Sequence, residues 1–224
     1  MSEPRIDGGA RASDDDALID ALSRRLAPVR RLPAPWLRGL GWFAAAIALG
    51  LAMIPFADME GLATRMATLD MRLAALGAVL TALTAAVAAF QSSVPGRSRF
   101  WALLPLAPAA LWIGSSGLGC LRQWSVPGTD LADAGEMGGC LIFLLGVSAP
   151  LSAGLVLMLR RACPLRPNLT AALGGLAAAA AAAALLVPFH PHNATASDLL
   201  AHLVVVGAII SANTLAGGRL LAGK

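Results

Sequence analysis

Charged residues in this chain fall in clusters, and long apolar windows separate the clusters. Nineteen uncharged residues lie between Arg38 and Asp58, twenty-four between Arg72 and Arg97, and twenty-two between Arg99 and Arg122. A further twenty-three lie between Glu136 and Arg160, thirty-one between Arg166 and Asp198, and twenty between Asp198 and Arg219. About 20 apolar residues carry a helix across the hydrocarbon core of a bilayer. The six windows therefore predict an all-α, polytopic membrane protein, a bundle of six transmembrane helices near 39–56, 73–90, 100–118, 138–159, 169–189 and 199–218. The strands of a membrane barrel would alternate in hydrophobicity instead, which "GGLAAAAAAAALLVPF" (174–189) does not do. Within the spans, Pro105 and Pro108 predict a kink in the third, and "GSSGLG" (114–119) a loosened end.

Ahead of the spans, residues 1–38 read as a tail with its own short helix at about 14–27. Ser13 with Asp16 predicts the amino-terminal cap, and Asp14, Asp15 and Asp16 suit the positive helix end. Leu18, Ile19, Leu22 and Leu26 form one apolar stripe, making the helix amphipathic, while Arg24 and Arg25 fall near its carboxyl end. Pro28 should stop it, and "PVRRLPAPW" (28–36) reads as a stiff basic link into the first span. The expected organisation is a tail over 1–38, a six-helix membrane domain over 39–219, and a carboxyl-terminal tail over 220–224. No cleavable signal peptide is expected, because the first 38 residues are too charged and the apolar run begins late.

Composition supports this picture. The 224 residues are 57% hydrophobic and only 13% charged, with a mean hydropathy of +0.70, where a soluble domain carries about 25% charge. An even number of spans puts both termini on one side. Fourteen of the 17 basic residues then lie on the side of the termini, and only Arg65, Arg72 and Arg122 on the other. Basic flanks stay in the cytoplasm, so both termini are expected there, in a bacterial inner membrane. The net charge of +4 is thereby a feature of topology, and no direct nucleic-acid binding is expected from it. No Asp or Glu falls inside the expected spans, which argues against a proton-coupled carrier.

The chain shows no Ser-His-Asp order, no CxxC and no phosphate-cradling glycine loop. No enzymatic activity and no cofactor are expected. Cysteines and histidines nevertheless gather at the non-cytoplasmic ends of the spans. Cys120 closes the third and Cys140 opens the fourth, on either side of the polar loop "LRQWSVPGTDLADAGEMGG" (121–139). That pair admits a structural disulfide, a dithiol sensing oxidant or a soft metal, or two unconnected thiols. His190, His192 and His202 admit a metal-binding reading, beside a plainer one as interfacial or helix-bridging polar residues. Cys163, on the cytoplasmic side, reads as a passive thiol. For the tail, lying on the inner leaflet competes with docking into a protein groove; six acids among residues 1–38 favour the groove.

Five blocks carry a resemblance to a known family: "LIDALSRRLAPVRRLPAP" (18–35), "SVPGRSRFWALLPLAPAALW" (93–112), "GLGCLRQW" (117–124), "CPLRPNLTAALGGLAA" (163–178) and "FHPHNATASDLLAHL" (189–203). In order and spacing they resemble the NrsF family over residues 14 to 222. These are six-span inner-membrane anti-sigma factors acting on ECF sigma factors of the sigma-F type. The resemblance implies that the tail holds a sigma factor through Leu18, Ile19, Leu22 and Leu26, flanked by Arg24 and Arg25. It also implies a heavy-metal response with Cys120 and Cys140 as the sensing thiols and a transient metal ion as the signal. The partners expected are thus an ECF sigma factor, the lipid bilayer and that ion. Two other classes remain on the residues alone. A metal or small-solute transporter would use the histidines, and a membrane thiol oxidoreductase would need a reactive pair.

Overall fold

A computed structural model of the chain describes residues 8–26, 31–124, 134–189 and 196–222. Among the described residues every regular element is helical. The chain divides into two compact units, residues 1–32 and residues 33–224.

The first unit holds α1, Gly8–Arg24. This helix starts ahead of Ser13, so Ser13 and the three aspartates lie within it rather than at its cap. Ala10, Arg11 and Ala12 are good helix formers and extend it toward the amino terminus. It ends at Arg24, four residues before Pro28 and short of the expected end near 27.

The second unit contains α2 (Pro35–Met53), a short α3 (Met59–Arg65), α4 (Leu69–Ser92), α5 (Leu106–Trp124) and α6 (Ala134–Arg160). It continues with α7 (Pro167–Leu186), α8 (Ala196–Ala212) and a one-turn α9 (Gly218–Ala222). With their flanking 3₁₀ and π turns, six of these helices are long and apolar enough to cross a membrane: Pro35–Phe56, Leu69–Ser92, Arg99–Gly119, Gly138–Arg160, Pro167–Phe189 and Leu199–Leu221. The end of this unit where α2 begins is called proximal below, and the opposite end distal.

At the centre, α4 lies against α7. Most of their buried residues are small: Ala78, Ala82, Ala85, Ala86 and Ala89 on α4, with Ala171, Gly174, Ala178, Ala181 and Ala182 on α7. Lipid tails are as apolar as leucine, so helices in a bilayer gain little by hiding leucine from it. Small side chains let backbones approach and collect dispersion contacts instead. Helices α2 and α5 pack on α4, and α6 and α8 pack on α7. The outer surface carries Ile47, Leu51, Ile113, Leu118, Leu145, Leu157, Val204 and Leu215, all exposed. In water that would be costly; against lipid it is neutral.

Close approach depends on particular glycines. A Cβ on Gly77 would stand 2.6 Å from the backbone nitrogen of Trp112 in α5, and one on Gly175 would stand 3.0 Å from the Cα of Ile210 in α8. Some polar groups inside the bundle find partners within it. Thr81 donates to the carbonyl of Gly77 at 2.7 Å, and Asn213 donates to the Ser152 hydroxyl at 3.1 Å, joining the end of α8 to α6. Asn213 begins a π turn, Asn213–Gly217, between α8 and α9.

The third span differs from expectation in two places. Pro105 precedes the first residue of α5, and a separate 3₁₀ turn, Arg99–Leu103, comes before it. The prolines thus begin the helix instead of kinking it, as their fixed φ and missing N–H favour. The "GSSGLG" stretch stays α-helical through to Trp124, because no water competes there for its backbone hydrogen bonds.

The glycine packing is testable. Gly175→Leu forces α7 away from α8 and should cost about 1–3 kcal/mol, whereas Gly114, with nothing within 4 Å of a Cβ there, should accept Leu. Reversible unfolding of both variants in mixed micelles measures the difference.

Candidate functional site

The expected tail contacts stand clear of their neighbours. Leu18, Ile19 and Leu22 are 58%, 60% and 55% exposed in α1, and Leu26 follows the helix, also exposed. Arg24 pairs with Asp20 at 2.7 Å, one helical turn back, with both side chains open to solvent. Such an exposed i,i+4 pair is worth about 0.3–0.5 kcal/mol. Arg25 lies in the turn that follows α1.

Arg38 was expected in the tail. It belongs instead to the second unit, at the start of α2, and is only 8% exposed. Its guanidinium sits 4.6 Å over the ring of the fully buried Phe90 in α4 and donates to the carbonyl of Met158 near the end of α6. A cation there suits the negative carboxyl ends of two helices and the face of a desolvated ring. One turn on, the Trp42 indole N–H donates to the carbonyl of Leu151 at 3.0 Å. The first half of α2 is therefore held on α6 by two hydrogen bonds.

At the distal end, Cys140 is buried within the apolar core of α6. Cys120 belongs to the last turns of α5; its side chain lies outside the described residues. Just before it, the Asp70 carboxylate comes so close to Gly119 that a Cβ there would lie 3.0 Å from its oxygen. Asp70 stands in the first turn of α4 and so within the second apolar helix, which had been expected to start after it. His190 and His192 lie outside the described residues. His202 lies in α8 and lines a cavity between helices. Among the described residues no three His, Cys, Asp or Glu side chains gather as metal ligands. Cys163 is exposed at the proximal end, just past α6, with φ +46°.

Arg65, expected only as one of three basic residues on the side opposite the termini, is a second buried arginine. It ends α3, is 7% exposed, and donates to the Asp58 carboxylate at 3.2 Å and to the Asp58 carbonyl at 3.4 Å. Asp58 also caps α3, accepting from the Gly61 N–H at 2.9 Å. The Gly61 N–H first, and then Arg65, hold the Asp58 carboxyl below the usual carboxylate range. A signal for this pair was present: Asp58 stands three residues before Gly61 and two helical turns before Arg65. For Arg38 the signal was weaker, since basic residues beside Trp36 also fit an interfacial flank.

The family model NrsF, negative regulator of sigma F, matches residues 22–222. No curated protein and no solved structure matches the chain. The match spans nearly the whole chain, so this protein belongs to the NrsF family, a family of regulators rather than of known enzymes. It starts inside α1, so Leu22, Arg24, Arg25 and Leu26 fall within the matched segment, while Leu18 and Ile19 precede it.

The Asp58 cap makes a pH prediction. Its carboxyl titrates lower folded than unfolded, so its contribution is present above the unfolded value of about 4 and is lost as pH falls through the folded one. Acid should loosen the α3 region in the wild type and leave Asp58→Asn, already weakened, insensitive below pH 4. Amide hydrogen exchange of residues 58–66 across that range reads it.

Proposed function

We propose that this NrsF-family protein is a membrane-bound anti-sigma factor of the bacterial inner membrane, with both termini in the cytoplasm. Its amino-terminal segment sequesters an ECF sigma factor of the sigma-F type and releases it in a stress response, when a heavy metal or oxidant acts on Cys120 and Cys140. The observation that carries this reading is the exposure of Leu18, Ile19 and Leu22 on a helix that belongs to a unit of its own. These residues cover about 100° of a helix surface, and three large apolar side chains on one face suit a partner's groove. Residues 1–32 are too few to enclose a sigma factor. The tail therefore works as a helical latch, with Arg24 and Arg25 steering it toward acidic surface. The fourteen basic residues on the side of the termini support a cytoplasmic tail.

Release needs the distal thiols to influence the proximal tail, and α6 supplies a physical link. Cys140 and Met158 lie 18 residues apart on this helix, about 27 Å at 1.5 Å per residue. Capture of a soft metal ion, or oxidation, at Cys120 and Cys140 draws α5 and α6 into a second packing. Because α2 hangs on α6 through Arg38 and Trp42, a shift of α6 moves the start of α2, where the tail attaches. Each state binds sigma with its own affinity, and a 100-fold release requires about 2.7 kcal/mol of coupling.

A sigma-dependent reporter in the host tests both halves. Leu18→Asp with Leu22→Asp should derepress the reporter without any signal, with the protein still in the membrane. Cys120→Ser with Cys140→Ser, and separately Arg38→Met, should keep repression and blunt induction by cadmium or oxidant. Full repression by the aspartate variant would overturn the latch, and undiminished induction in the serine or methionine variants would overturn the α6 link.

A further inference from the structure

A cavity of about 230 Å³ lies between α4, α5, α7 and α8 in the distal half of the bundle. Voids of this size are not packing noise: at about 30 Å³ per water, it would hold roughly seven. Water is a poor occupant, since Ala78, Trp112, Ile210 and their neighbours make the walls almost wholly apolar. The space exists because α4 and α5 turn alanines toward it where larger residues would meet.

The polar groups sit at one end only. Arg65, Ser116 and His202 line the distal rim, and Ile210 lies eight residues deeper along α8, about 12 Å down. Arg65 is more than nine-tenths buried, and its Nε–H, also buried, has no acceptor among the described residues. Among the described residues its terminal nitrogens donate to Asp58, whose side chain is 56% exposed. A buried guanidinium with an unmet donor at the mouth of an apolar hollow is suited to an anionic oxygen.

We infer that this cavity binds a single alkyl chain carrying an anionic head, with the carboxylate or phosphate at Arg65 and the hydrocarbon running inward past Trp112 toward Ile210. The volume favours one chain, since sites for drug-sized ligands run at about 300–1,000 Å³. A free fatty acid and one chain of an anionic phospholipid present the same chemistry. The inference goes beyond the sigma-factor reading and stands apart from it.

The test uses the purified full-length protein in nonionic micelles, titrated with 11-bromoundecanoate while tryptophan emission is followed. Bromine quenches an indole at contact, so a saturable quench should appear and vanish in Trp112→Phe. Arg65→Gln should weaken binding tenfold or more, and Ala78→Phe should fill the hollow and abolish it. The wild type alone supplies a check that depends on no variant: 11-bromoundecanol, the same chain with a neutral head, should bind at least tenfold more weakly. Equal binding of acid and alcohol would overturn the role of Arg65. A quench that never saturates, or that survives Trp112→Phe, would overturn the site. Bromine-labelled phosphatidylglycerol that saturates and displaces the acid would support the same site with the bilayer as the source; displacement of the phospholipid by micromolar acid would support the free acid.

Discussion

The contact between α4 and α7 is the constraint on which the rest of this structure depends. In lipid, burial of large apolar side chains drives helix association only weakly, so the centre of the bundle is built from alanine and glycine. Ala78, Ala82, Ala85 and Ala89 meet a second small-residue face around Gly174 and Ala178, and dispersion between close backbones holds the pair. The remaining spans form an outer layer on these two. Many of their large apolar side chains, among them Leu51, Ile113, Leu145 and Leu157, face outward, where a bilayer accepts them, while Leu144, Leu155 and Leu159 of α6 pack inward.

A bundle held by small residues has little to distinguish one end from the other. Two buried arginines do so. Arg38 closes the proximal end, with an aromatic face and a main-chain carbonyl as partners. Arg65 stands at the distal end, half-compensated by an exposed aspartate and facing an apolar hollow. The first arrangement is complete within the chain and acts as a fastening between α2 and α6. The second leaves a donor over, as binding sites do. In the proposed mechanism these ends are the output and the input, and α6 spans them with Cys140 near one end and the Arg38 contact near the other.

Much of the architecture was legible because a bilayer imposes a length on its helices. Charge-free windows of about 20 residues are hard to produce otherwise, and the six apolar helices fall over them. Boundaries were less legible where local chemistry competes. Ala10, Arg11 and Ala12 extended α1 past an attractive capping serine, and the glycines and serines of 114–119 stayed helical, although in water they would read as a loop. The burial of the two arginines was the least legible feature: the spacing of Asp58, Gly61 and Arg65 hinted at their pairing but not at the inward turn of either guanidinium. An arginine at the edge of an apolar run looks the same whether it snorkels to the headgroups or turns inward onto Phe90, and only the positions of α4 and α6 decide between them. The tail stripe at Leu18, Ile19 and Leu22 was visible as a pattern, but a pattern does not say what covers it.

The account rests on the proximal end, with Cys163 and the tail, facing the cytoplasm. Side-specific labelling decides this most directly. In a Cys120→Ser/Cys140→Ser background the sole thiol is the exposed Cys163, which a membrane-impermeant maleimide reaches from one side only. The account predicts labelling in inverted inner-membrane vesicles and none in intact spheroplasts; labelling of Cys163 in spheroplasts would contradict it.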